Sequence, residues 1–213
     1  MWQCYIGLYI SGVKEKLLEA TLIILVGGES RRMGFPKPLL LINRKNLVEI
    51  IIERLKILFS EIIVVGKGKQ RIYGKEFIFV EDLYEYHSPL VGIYSGLKVS
   101  KNQFNFIVAC DMPFVNKNLV KYMLKITGDY DVVVPIVRGY FEPLHAVYTK
   151  NTVNVIEEEI ERGNLKVTSF YERVNVKEIP EKIVRKHDPE LMSFINLNTP
   201  KDLKKYASFL NDL

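Results

Sequence analysis

Leu22-Ile23-Ile24-Leu25-Val26-Gly27-Gly28-Glu29-Ser30-Arg31-Arg32-Met33-Gly34-Phe35-Pro36-Lys37-Pro38-Leu39-Leu40 is the stretch from which the architecture can be read. Its first five residues are apolar without alternation and stop at two glycines, the mark of a fully buried strand followed by a turn. Outward from it, Asn46 can cap a helix whose apolar positions Leu47, Ile50, Ile51, Leu55 and Leu58 recur at helical spacing. A β-branched run over 61–65 then closes at Gly66. Strand, long loop, helix and strand in that order predict a parallel sheet covered by helices.

The alternation continues with a strand over 77–80, a helix over 89–99 and an apolar strand over 104–110 ending on Asp111. Asn116 can cap a helix over 117–126, and 132–134 gives another strand. Farther on, strands are expected over 144–149 and 174–179, a helix over 152–162, and a last helix over 200–210 with Thr199 as cap and Pro200 at its first position. No internal repeat or low-complexity linker interrupts the chain. One α/β layer structure is the economical reading.

Composition agrees. The 213 residues amount to about one domain with a possible appendage. With 48% hydrophobic, 26% charged and 11% aromatic residues, the chain can bury a sizeable core. No apolar run approaches the roughly 18–20 residues of a membrane helix, so no membrane partner is expected. Two cysteines and three scattered histidines complete neither a disulfide framework nor a zinc site, which fits a reducing, cytoplasmic setting. The apolar residues 5–10 lack preceding basic residues and are followed by Lys14, Glu15 and Lys16, unlike a secretory signal. The 30 basic and 25 acidic residues are interspersed, and the net charge of +5 does not suggest a nucleic-acid partner. A small polyanionic substrate remains open.

Ligands of open α/β sheets bind at the carboxyl ends of the strands. After the first strand, Gly27 and Gly28 let the backbone approach a ligand, consecutive N–H groups can form an anion nest, and Arg31, Arg32 and Lys37 add positive charge. Together these would hold a triphosphate. A Walker loop requires Gly-Lys before Ser or Thr at a helix start, and the dinucleotide fingerprint requires three glycines opening a helix. Pro36 and Pro38 forbid a helix there, so the loop must wrap extended around its ligand.

This loop resembles the signature of the nucleotidyltransferases that build molybdenum cofactors, roughly Leu-Ala-Gly-Gly, two arginines, Met-Gly and a Lys before Leu-Leu. The resemblance continues in order through Val80-Glu81-Asp82, Ser88-Pro89-Leu90-Val91-Gly92, Cys110-Asp111-Met112-Pro113-Phe114, Glu142-Pro143-Leu144-His145-Ala146-Val147-Tyr148 and Asn196-Leu197-Asn198-Thr199-Pro200. It is closest to the molybdenum cofactor guanylyltransferases, the molybdopterin-guanine dinucleotide biosynthesis protein A family. The resemblance implies a single three-layer, Rossmann-like α/β nucleotidyltransferase domain with a mostly parallel mixed sheet over residues 21–213. Residues 1–20 have no family counterpart and form an extension of unknown role. In this sequence Pro36 stands where an acidic residue is common, and Ser88 where Gly is frequent.

The same resemblance implies transfer of GMP from GTP to the terminal phosphate of molybdopterin or molybdenum cofactor, with Mg²⁺ as cofactor. Lys37, Arg32 and Asp111 carry the catalytic role, and Leu25, Gly27, Gly28, Lys37, Asp82 and Asp111 the nucleotide. Asn196 and Asn198, which alternate along an expected strand, fall at the pterin end. Cofactor-assembly proteins and apo-molybdoenzymes are further candidate partners. Read physically, Asp111 follows a buried strand and Mg²⁺ prefers one or two carboxylates with phosphate oxygens, although an Asp before Met-Pro can equally cap the next helix. Asp82 suits guanine, whose ring N–H and exocyclic amine donate together to a carboxylate, or is a surface acid. The Asn pair is alternatively a cap and turn. Lys67, Lys69, Arg71 and Lys75 read as a solvated basic cluster, and Cys110 and His145 as core. The rival readings are a cytidylyl or sugar-nucleotide transferase on the same fold and a non-catalytic GTP-binding adaptor that delivers the cofactor.

Overall fold

A computed structural model describes residues 18–26, 41–42, 45–67, 76–206 and 209. Strand β1 (Leu18–Leu25) lies inside the sheet, parallel to β4 (Phe59–Gly66) on one side and to β6 (Phe104–Ala109) on the other. β5 (Ile78–Glu81) continues the sheet past β4, again parallel. Past β6 come β9 (His145–Thr149), β7 (Val132–Val137) and β10 (Val176–Ile179), while the short β8 (Tyr140–Phe141) pairs with β7 alone. The order is β10-β7-β9-β6-β1-β4-β5. Because β9 is antiparallel to both β6 and β7, strands β5, β4, β1, β6, β7 and β10 all run one way, and only β8 and β9 oppose them. The sheet is mixed and mostly parallel. A separate hairpin of β2 (Leu41–Ile42) and β3 (Lys45–Asn46) leads into helix α1 (Leu47–Leu55).

Side chains of β1 alternate between two cores. Leu22 and Ile24 pack with α1, α3 (Lys117–Ile126) and α5 (Glu181–His187), whereas Ile23 and Leu25 pack with α2 (Pro89–Val99) and α4 (Val153–Glu161). A strand covered on both faces needs apolar residues at every position, which is why its sequence shows no alternation. The result is three layers, helix on sheet on helix.

Local chemistry sets the helix starts. Asn46 forms a capping box with Glu49: the Glu49 N–H donates to Asn46 Oδ1 at 2.9 Å and the Asn46 N–H to Glu49 Oε2 at 2.7 Å. Ser88 caps α2 with Pro89 behind it, Asn116 caps α3, and Thr199 and Asp202 form a second capping box for α6 (Pro200–Lys205). Several ends differ from the sequence expectation. α1 stops at Leu55 and continues as a 3-10 turn over Lys56–Leu58, so Leu58 reaches the core from outside the α-helix. β7 extends to Val137, and α5 was not anticipated because its single buried residue, Val184, leaves no apolar period. β1 begins at Leu18, so residues 18–20 belong to the sheet rather than to the extension; residues 1–17 lie outside the described residues.

α2 comes so close to β1 that a Cβ on Gly96 would stand 2.6 Å from Ile23 Cγ2. Gly96→Val is expected to cost about 3 kcal/mol through overpacking, read as a lower urea midpoint at unchanged slope; an unchanged midpoint would contradict this packing.

Candidate active site

The carboxyl ends of β5, β4, β1, β6 and β7 share one edge of the sheet, and β9 begins there. Of the expected site residues, Gly27, Gly28, Arg32 and Lys37 lie outside the described residues, as do Lys69, Arg71 and Lys75. Leu25, Asp82, Asp111, Asn196 and Asn198 are described, and they fall into two groups along this edge.

The first group stands past β5. Asp82 follows the strand directly, its N–H donating to Gly66 O at 3.1 Å. One carboxylate oxygen, Oδ1, is buried without a hydrogen-bond partner. Burial pushes the carboxyl above the usual carboxylate range, against the pull of Lys67 and His87. Across from it lies Gly92, where a Cβ would stand 3.6 Å from Asp82 Oδ1 and 3.2 Å from Leu25 Cδ2. Leu25, Asp82 and Gly92 therefore form one narrow corner, with an apolar wall, an unsatisfied acceptor and no side chain between them. The loop is held from below by Ser95, whose hydroxyl accepts from Leu83 N at 2.9 Å and donates to Val91 O at 2.8 Å. Ser88 accepts from Leu90 N at 3.1 Å and donates to Leu165 O at 2.8 Å, tying the corner to the loop after α4.

The second group surrounds Asp111. Cys110 and Asp111 form a turn directly after β6, and the Cys110 N–H donates to Leu25 O at 3.0 Å, so the end of β1 and the aspartate loop are joined. Helix α3 begins at Lys117 under an Asn116 cap, which removes the reading of Asp111 as its cap. The residues around 196–198 are not a strand, as alternation suggested, but an irregular segment after a 3-10 turn over Met192–Phe194. Leu197, fully buried, donates its N–H to Asp111 O at 2.8 Å, and Asn196 and Asn198 flank it. The Asn198 N–H also joins the α6 cap through Asp202 Oδ2 at 3.0 Å, as the cap-and-turn alternative foresaw.

A brace that the sequence did not reveal fixes this second group. Buried Asp188 accepts from Met192 N at 3.1 Å and Ser193 N at 2.8 Å, and the Ser193 hydroxyl accepts from Asn116 N at 2.9 Å. From the other side Arg54 Nε donates to Val115 O at 3.2 Å. The loop over 111–116 is thus clamped between α1 and the C-terminal segment. Among the described residues no group of three or more His, Cys, Asp or Glu is placed to hold a metal ion, and no helix is long and apolar enough to cross a membrane. Asp111, one carboxylate directly after β6, fits Mg²⁺, which completes its shell with substrate phosphates and water.

Comparison with known proteins now bears on this edge. The MobA-like NTP transferase domain matches residues 22–176. The chain belongs to the MobA-like NTP transferase family. A relative from Natranaerobius thermophilus, named "Probable molybdenum cofactor guanylyltransferase", is 36% identical over 88% of this chain and 95% of its own. The molybdenum cofactor guanylyltransferase of Desulfosudis oleivorans is 34% identical over 86% of this chain and 92% of its own. The crystal structure of molybdopterin-guanine dinucleotide biosynthesis protein A from Archaeoglobus fulgidus superposes with a TM-score of 0.78 at 29% identity, covering 91% of this chain and all of that one. This MobA-like chain is therefore a nucleotidyltransferase, as its motifs implied.

Within the MobA-like domain, His145 packs as expected. It is fully buried, its ring centroid 5.0 Å from that of Phe106 and 4.8 Å from that of Phe194, and neither ring nitrogen has a hydrogen-bond partner. Burial holds its pKa down at about 3. The unfolded chain binds this proton near pH 6.5 and the native state does not, so stability falls as pH drops from about 6.5 toward 3, by roughly 1.4 kcal/mol per pH unit for this one group. His145→Leu should remove that part of the acid dependence and raise stability at neutral pH. Chemical denaturation of both proteins from pH 7 to 4 measures it, and parallel pH profiles would refute the assignment.

Proposed function

We propose that the chain is a molybdenum cofactor guanylyltransferase, and that the edge from Asp82 to Asp111 binds GTP across the end of β1. The observation that carries this reading is the Leu25–Asp82–Gly92 corner. Its buried carboxylate oxygen lacks a donor, and guanine supplies a donor pair, ring N–H and exocyclic amine, on one edge. With the base in that corner, the ribose and phosphates extend past the end of β1 toward Asp111.

In this reading a terminal phosphate oxygen of molybdopterin forms a bond to the α-phosphorus of GTP. The bond from that phosphorus to the bridging oxygen breaks, and pyrophosphate leaves. Asp111 together with the phosphates would hold Mg²⁺, which when bound neutralises charge on the phosphates. Lys37 and Arg32 bring positive charge to the triphosphate, and the clamped 111–116 loop keeps the Asp111 carboxylate in one place, so that catalysis consists of positioning and charge neutralisation. Asn196 and Asn198, on either side of the Leu197 tether, contact the pterin substrate. Cofactor-assembly proteins and apo-molybdoenzymes would receive the product.

Pyrophosphate release from Mg-GTP and molybdopterin tests the reading. Asp111→Asn is expected to lower kcat by roughly 100-fold or more while the fold persists; full activity in that variant would sink the metal-holding role. Asp82→Asn is expected to weaken GTP binding about 10-fold and to narrow the margin over ATP. Thermal stabilisation by CTP and not by GTP would instead favour the cytidylyl alternative.

A further inference from the structure

Glu142 opens the Glu142-Pro143-Leu144-His145 segment that leads into β9, and the fold sets its position. Its N–H donates to Pro135 O at 2.9 Å, extending the β7–β8 ladder in which Ile136 faces Phe141. Directly opposed residues of antiparallel strands share a face, so Glu142 lies on the face of Val133 and Val137, the one packed against α3 and α5. Three residues later β9 begins opposite Val108, near the end of β6. Glu142 thus stands at the same sheet edge as Asp111 but on the opposite side from Asp82: along the edge the order is Asp82 after β5, Asp111 after β6, and Glu142 between β8 and β9.

The corner is built to hold still. Tyr148, fully buried, donates its hydroxyl to Pro143 O at 2.8 Å and lies 2.9 Å from the Tyr171 hydroxyl, while Phe141 packs edge-on against Tyr171. A proline and a buried hydroxyl pair therefore fix the backbone on which Glu142 rides. Its own carboxyl is half-buried and has no hydrogen-bond partner among the described residues. Burial lifts it to about 7, with Arg138 pulling the other way. A half-buried carboxylate on a fixed backbone, still open to a ligand's donors, stands at this end of the edge as Asp82 stands at the other.

We propose that Glu142 recognises the 2-amino and ring N–H edge of the acceptor's pterin, as Asp82 would recognise the matching edge of guanine, making it a specificity-determining residue of the acceptor half-site. The inference rests on the guanylyltransferase reading for the identity of the acceptor. Its chemistry is separable, because the 2-amino-4-oxo edge is common to both heterocycles, and two carboxylates on opposite sides of the transfer point give one acceptor to each.

Binding decides it independently of turnover. The full-length chain is titrated with molybdopterin and with two simple probes, a pterin and the corresponding lumazine, which carries oxygen in place of the 2-amino group; ligand fluorescence reports binding. The wild type is expected to prefer the pterin over the lumazine by about 10-fold. Glu142→Gln should lose most of that preference, with weaker molybdopterin binding and an unchanged Kd for GTP, and Glu142→Asp should fall between the two. Equal preference in wild type and Glu142→Gln, or no pterin binding by the wild type, overturns the proposal. A merely structural role would lower affinity for GTP, pterin and lumazine alike, which also overturns it. Intact, Glu142-dependent pterin binding without pyrophosphate release would instead sink the guanylyltransferase reading and leave this inference standing.

Discussion

Strand β1 is buried on both faces and hydrogen-bonded on both edges, and the rest of the molecule is arranged around that constraint. Leu22, Ile23 and Ile24 are wholly inaccessible to solvent, and parallel neighbours β4 and β6 satisfy the backbone on either side. Parallel pairing requires crossovers, and crossovers place α1 and α2 on opposite faces. Once β1 is central, the carboxyl ends of its neighbours must open on the same edge. That edge is where the candidate residues Leu25, Asp82 and Asp111 lie.

The polar features divide between those satisfied by the protein and those left for something else. Asp188, Ser193, Asn116 and Arg54 spend their hydrogen bonds on holding the 111–116 loop and the 192–197 segment together. Asp82 Oδ1 is buried without a comparable partner, and the Glu142 carboxyl is half-buried. A buried acceptor lacking a donor is costly, and both carboxylates stand at the carboxyl-end edge of the sheet. His145, at the start of β9, carries the same cost but is enclosed by Phe106 and Phe194.

Much of this was legible in the residues themselves. The capped helices α1 and α3 start where Asn46 and Asn116 placed them, because capping is local: the capping side chain is within three residues of the groups it satisfies. The buried strands were legible because burial on two faces leaves a continuous apolar run. Helix α5 escaped, since one buried valine makes no period. The segment over 196–198 reads as a strand in sequence, yet its polar–apolar alternation comes from a single buried leucine, Leu197, anchored to Asp111 rather than from a ladder.

By itself, then, the sequence determined the alternation of strands and helices, their caps and the motifs that mark a MobA-like nucleotidyltransferase, since each depends on residues near one another along the chain. Only the tertiary structure decided which carboxylates share an edge, that Asp111 is tied to Leu197 and not to the start of α3, and that Glu142 stands across from Asp82. Those relations join residues from distant strands, and their geometry is set by strand order and packing, which no local pattern encodes.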